Sequence, residues 1–314
     1  MRGSSLPTLL KPPRLRPGAT IGVANISGPV DEARLERGIS RLRARGYRVV
    51  EADNVRRRDG FLAGTDDERV AGYRALLQDP SVDAIFFARG GYGASRILSR
   101  LDAAEVRSNP KIHLGGSDLT ALFAFLRNRA SLAAAYGPMV AVQIAGDDGP
   151  GAPELDWEPV LSGELPQPVP VAPEDVVVAG SAAGTLAGGC LSLLASLCGT
   201  PEQVDGKDAV LFWEDVGEEI YRLDRMLTQL ERSGTFDRLQ AMIIGSIAPG
   251  RREGAESPGE IRSWLAQRFA GAPFPVASGF PAGHVGDTRT LPLGTRVRVD
   301  LDHGTIHFLE SAVA

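Results

Sequence analysis

From residue 20 to residue 130 the chain alternates short apolar runs with stretches of helical periodicity, and no other feature restricts its fold so tightly. "TIGVANIS" (20–27) is followed by "DEARLERGISRLRARG" (31–46), where Leu35, Ile39 and Leu42 recur at helical spacing before Gly46 ends the pattern. "YRVVEA" reads as the next strand and "DDERVAGYRALLQDP" as a helix stopped by proline. "VDAIFFARGGYG" is a third strand running into glycines, and "ASRILSRLD" a short helix. "KIHLGG" and "SDLTALFAFLRNR" repeat the unit. Alternation at this spacing predicts an α/β protein whose parallel sheet is covered by helices.

The second half is more mixed. "DAVLFWED" (208–215) and "AMIIGSIA" (241–248) are continuous apolar strands, and "EEIYRLDRMLTQLERSG" is an amphipathic helix with Ile220, Leu223, Leu227 and Leu230 on one face. "SPGEIRSWLAQRFA" is a further helix, "FPVASGF" a strand entering "PAGHVGDTRT", and "TRVRVDL" and "TIHFLE" a closing hairpin. Between the halves, the stretch 146–175 is rich in proline, glycine and acid. The expected organisation is a first domain over 1–150, a linker over 151–175 and a second domain over 176–314.

Composition excludes several function classes. A net charge of −5 gives no basic face for nucleic acid. Val176 to Pro201 carries no charge and is long enough to span a membrane, but five glycines and three serines interrupt it. It reads instead as a strand, a glycine-rich turn and the buried helix "CLSLLASLCG". Cys190 and Cys198 lie in this apolar stretch and fit buried small hydrophobes in a reducing compartment. The opening residues hold prolines and bases with no apolar leader core, so the expected location is cytoplasmic and no membrane partner is expected. Of four histidines, His303 and His307 flank the predicted hairpin turn, and no metal site is expected.

In open parallel sheets, ligands gather beyond the carboxyl ends of the strands. Four such ends carry reactive groups here: Arg89 to Gly93, Gly115 to Asp118, Glu214-Asp215, and Gly283-His284. A serine hydroxyl needs a base within reach, and the base needs a third group to fix its tautomer. Ser117, His284 and Glu214 could fill those roles. Each also has a purely structural reading. Serine before a helix is commonly an N-cap, Asp118 suits the helix dipole, and Glu214 and His284 can simply face solvent. The motif is not G-x-S-x-G, since position 119 is Leu. "GGYGAS" lacks the third glycine of a dinucleotide fingerprint, with Arg96 in its place.

Several blocks in order carry a resemblance: "LAGTDDERV", "VDAIFFARGGYGASRIL", "GGSDLTAL", "GGCLSLLASLCGTP", "LFWEDVGEEIYRLDRMLTQL" and "GFPAGHVGDTRTLPLG". Over roughly residues 14 to 312 the chain resembles the LD-carboxypeptidases, serine peptidases that include murein tetrapeptide carboxypeptidases and microcin self-immunity peptidases. The resemblance implies a Rossmann-like N-terminal domain with the nucleophile, and a mixed α/β C-terminal domain carrying the rest of the triad. The family's serine falls on Ser117, its glutamate on Glu214 and its histidine on His284. It implies hydrolysis of a small peptide between an L-centre and a C-terminal D-amino acid, with no cofactor or metal, in a homodimer. The backbone N–H groups of Asp118 and Gly91 are the expected oxyanion hole, and Arg89 is the nearest candidate for the substrate carboxylate, although it could equally brace the strand-end loop. The chain departs from the family at Gly116, where an aromatic residue is common, at "ANISGPV" near the start, and at Val285. A missing ring before the nucleophile is expected to widen the site. Two other activities fit the same blocks: hydrolysis of a peptide-nucleotide antibiotic, and non-catalytic binding of cell-wall fragments.

Overall fold

The first half folds as β1 (Thr20–Ala24), α1 (Glu32–Ala44), β2 (Arg48–Glu51), α2 (Asp66–Gln78), β3 (Ala84–Phe87), α3 (Ala94–Ile97), α4 (Ala103–Ser108), β4 (Ile112–Gly115), α5 (Thr120–Phe125) and β5 (Ala134–Tyr136). The second continues with α6 (Trp157–Ser162), β6 (Val169–Pro170), β7 (Val176–Val178), β8 (Ser181–Cys190), α7 (Leu191–Ser196), β9 (Ala209–Val216) and α8 (Ile220–Arg232). It closes with β10 (Ala241–Ala248), α9 (Pro258–Arg268), β11 (Val276–Ala277), β12 (Leu291–Leu293), β13 (Arg296–Asp300) and β14 (Thr305–Phe308). This computed structural model describes residues 9–146, 155–248 and 257–314; part of the predicted linker, 151–154, lies outside them.

Two sheets result. The first has the order β12-β5-β4-β3-β1-β2, with β1 to β5 parallel. The second has the order β6-β14-β13-β8-β9-β10-β11-β7, with a parallel centre from β8 to β11 and antiparallel flanks. β3 and the first five residues of β9 are buried throughout, which is why they read as unbroken apolar runs rather than alternating ones.

Side chains on β9 still alternate between two cores. Phe212 joins a cluster that also holds Leu119, Tyr136 and Phe280, so one core is shared by the two sheets. Leu211 and Trp213 point the other way, against Leu223 and Leu227 of α8. By the same period of two, Glu214 lies on the Phe212 side, facing the first sheet.

Three features differ from expectation. The glycine-rich stretch read as a turn is strand β8. A Cβ at Gly188 would sit 1.7 Å from the Phe212 carbonyl oxygen, and one at Gly189 (φ +148°) 2.3 Å from Thr120 Oγ1. Its glycines therefore reflect close backbone packing rather than chain reversal. The predicted linker contributes α6, whose fully buried Trp157 packs with Phe86 beneath the first sheet. Lastly, β12 leaves the C-terminal half to pair antiparallel with β5, so Leu291–Leu293 completes the first sheet. Among the described residues no helix is long and apolar enough to cross a membrane.

Candidate active site

β4 ends at Gly115, and two residues later the backbone turns sharply. Ser117 has φ +58° and opens a 3-10 turn that runs into α5. A left-handed conformation costs a non-glycine residue on the order of 1–2 kcal/mol. No side-chain cap bond forms at this helix start, so Ser117 is not serving as an N-cap.

Its backbone is held from both sides. The Ser117 N–H donates to Tyr136 Oη at 2.9 Å, and its carbonyl accepts from Thr120 Oγ1 at 2.7 Å. Thr120 Oγ1 in turn accepts the Cys190 N–H at 2.9 Å, tying the turn to the end of β8. Gly90 lies against the serine, where a Cβ would come within 2.7 Å of Ser117 Cβ and 2.9 Å of Oγ.

Asp118 turns inward and is fully buried. Its Oδ2 accepts from Ser27 Oγ at 2.6 Å and from the Ala94 N–H at 2.8 Å, drawing the loops after β1 and β3 onto the serine turn. Burial raises its pKa, against the pull of these donors. Arg89 also braces this region: Nε donates to Gly90 O at 3.1 Å and Nη1 to Pro29 O at 2.9 Å. Two of its three nitrogens thus engage loop carbonyls.

On the second sheet, Glu214 is completely buried near the end of β9. One oxygen, Oε2, pairs with His284 Nδ1 at 2.7 Å and accepts the His284 N–H at 3.1 Å. The other, Oε1, accepts from Tyr136 Oη at 2.6 Å. Pairing Nδ1–H with the carboxylate leaves Nε2 as the basic nitrogen of the neutral ring. Burial lowers the His284 pKa, but the hydrogen bond and charge of Glu214, aided by Asp215, outweigh it and raise the pKa above 6.5. The His284 loop is pinned by the Gly283 N–H to Thr288 Oγ1 at 3.0 Å and by Gln143 Nε2 to Val285 O at 3.5 Å.

Glu214 and His284 are therefore in direct contact, while Ser117 reaches Glu214 through Tyr136. No direct hydrogen bond joins Ser117 Oγ to His284 among the described residues. Such bonds often tighten only once substrate is bound. Tyr136 and Thr120 received no role from sequence reasoning. A signal existed for Tyr136: "AAYGP" is another apolar run ending in a glycine, so it marks a strand end like the other four.

Gly116 does not leave the gap expected of a missing ring. A Cβ there would meet Gly137 O at 3.2 Å and the Tyr136 ring at 3.4 Å, so that direction is already packed. The other histidines have local partners. His113 is fully buried, with Nδ1 on Lys111 O and Nε2 on Tyr73 Oη, both at 2.9 Å. His303 pairs with Asp300, and His307 with Thr305 Oγ1. Among the described residues no cluster of His, Cys, Asp and Glu could hold a metal ion.

Two family models match this chain: the LD-carboxypeptidase N-terminal domain over residues 21–137 and the LD-carboxypeptidase C-terminal domain over residues 183–299. The chain belongs to the LD-carboxypeptidase family. Two relatives with provisional names support this. One is a carboxypeptidase of Streptomyces coelicolor, 39% identical over 95% of this chain and 96% of the relative. The other is a murein peptide carboxypeptidase of Bacillus subtilis, 32% identical over 92% of this chain and 91% of the relative. The solved structure of the microcin C7 self-immunity protein MccF in complex with aspartyl sulfamoyl adenosine matches with a TM-score of 0.86. It covers 97% of this chain and 100% of that one at 24% identity, a likeness of fold. As a family member the chain is an enzyme of the carboxypeptidase class.

Proposed function

We propose that this protein is a serine-type LD-carboxypeptidase that removes a C-terminal D-amino acid from an L,D-linked peptide of murein tetrapeptide type, as in peptidoglycan recycling. The observation that carries the reading is Glu214 holding His284 through Nδ1 while Tyr136 ties the strained Ser117 turn to the same carboxylate. His284 Nε2 takes the Ser117 proton as Oγ attacks the scissile carbonyl, and Glu214 stabilises the resulting imidazolium. The N–H groups of Gly91 and Asp118 receive the oxyanion. Asp118 directly follows Ser117 in the 3-10 turn, and Gly91 follows Gly90, which packs against Ser117. Losing one such donor costs about 3 kcal/mol of transition-state stabilisation. The protonated histidine then gives its proton to the departing amine, and water hydrolyses the ester on Ser117. Arg89 offers the substrate carboxylate its remaining Nη2, which lies 3.5 Å from where a Gly91 Cβ would stand.

The test is release of D-alanine from a murein tetrapeptide, with Ser117→Ala as the control. The wild type should turn over and the variant should not; equal turnover would remove Ser117 as nucleophile. EDTA should leave the rate unchanged, and a metal-reversible loss would point to a metallopeptidase. A second reading is hydrolysis of an aminoacyl nucleotide analogue, favoured by the fold shared with MccF, whose structure holds aspartyl sulfamoyl adenosine. Offering both substrates to the same preparation separates the two. Failure of a serine-reactive phosphonate to label the protein would favour a binding role without catalysis.

A further inference from the structure

We infer that Tyr136 is a positioning residue of the reaction, its phenol oxygen locking the nucleophile turn of one sheet to the triad carboxylate of the other. This inference rests on the serine-peptidase reading above.

The phenol stands between two elements that share no local sequence. Tyr136 ends β5, opposite Gly115 in the β4–β5 register, while Glu214 lies 78 residues further on in β9. The oxygen accepts the Ser117 N–H and donates its own hydrogen to Glu214 Oε1, so both hydrogen-bonding capacities are used in the direction each partner needs. The ring is 2% exposed and sits edge-on to Phe123 and Phe212, with centroids 6.3 and 5.6 Å away, so it is packed in the core shared by the two sheets. Burial and the charge of Glu214 keep the phenol protonated, hence a donor.

Two consequences follow for the chemistry. The left-handed Ser117 peptide is fixed by its N–H, which presets the direction of Oγ. Glu214 shares its charge between the phenol on Oε1 and the imidazole on Oε2, so the phenol moderates the basicity of His284. Phenylalanine at this position keeps the packing and removes both effects. With Oε1 unpaired, more negative charge faces the imidazolium, and the His284 pKa rises. The ionisable groups acting on His284 are Glu214 and Asp215, and those acting on Tyr136 are Glu214 and Cys190.

The experiment compares Tyr136→Phe with wild type on the tetrapeptide, over pH. We expect kcat to fall by about 10- to 100-fold, as for loss of a hydrogen bond to a charged group, with KM little changed. The acid limb of kcat/KM should move to higher pH, which loss of packing alone would not produce. A folded variant with wild-type kcat and an unmoved limb overturns the inference. If Tyr136→Phe does not fold, 3,5-difluorotyrosine at position 136 decides: its stronger donation should move the limb to lower pH, and an unmoved limb overturns it. Phosphonate labelling of wild-type Ser117 separates the two levels. No labelling removes the serine-peptidase reading itself, whereas labelling with normal Tyr136→Phe kinetics removes only the role of the phenol.

Discussion

His284 Nδ1 lies 2.7 Å from Glu214 Oε2, and the backbone N–H of the same histidine reaches that oxygen at 3.1 Å. Ring and main chain are thus fixed by one acceptor atom, which sets both the tautomer and the ring plane. Glu214→Gln should keep much of this shape but present an amide where a carboxylate accepts Nδ1–H. We expect kcat to fall by about 10⁴, as for loss of the acid in comparable triads, with KM little changed. Steady-state kinetics on the tetrapeptide checks this, and an unchanged kcat would leave His284 without its partner.

The raised His284 pKa gives two pH predictions of defined sign. A general base must be neutral, so the acid limb of kcat/KM should lie above pH 6.5. For stability, a pKa raised in the folded state gives stabilisation that is complete below the unfolded value, about 6.5, and lost as pH rises through the folded value. Urea midpoints for wild type and His284→Gln, followed upward from pH 6, should therefore converge. A gap that widens with pH would contradict the assignment.

Ser117 stores backbone strain that glycine would not carry. Ser117→Gly should be more stable than Ser117→Ala by about 0.5–1 kcal/mol, the relieved left-handed cost less the added chain entropy of glycine. Both variants should be inactive. Equal stability in urea would mean that the turn is not strained.

Gly90 gives a test of close approach without a backbone penalty. Its hypothetical Cβ would press on Ser117 Cβ and Oγ, and Gly90 does not have a positive φ. Gly90→Ala should displace the hydroxyl and lower kcat/KM by about 10². An active Gly90→Ala would indicate that the serine turn moves freely.

His113 should behave oppositely to His284. Burial pushes its pKa down to about 4, although the Lys111 carbonyl favours the charged form. Its imidazole resonances should stay in the neutral form until the pH approaches 4. Because this pKa is depressed, its contribution to stability falls as pH drops from 6.5 towards 4. A His113 that titrates near 6.5 would mean that the core site is solvated.

What the sequence determined by itself was local. Each helix face and each apolar strand is written in residues close together, so the α/β alternation was readable, as were the turn after β4 that holds Ser117 and the end of β9 that holds Glu214, whereas His284 lies in the loop beyond β11. The glycines of β8 misled, because they answer to Phe212 and Thr120, which are remote in sequence. Tertiary structure alone decided that β12 returns to the first sheet, that Arg89 is largely occupied by loop carbonyls, and that a phenol from β5 bridges Ser117 and Glu214. The physical reason is that periodicity reports which way a side chain faces, but not what it meets. The partner is set by how two sheets pack across a shared core.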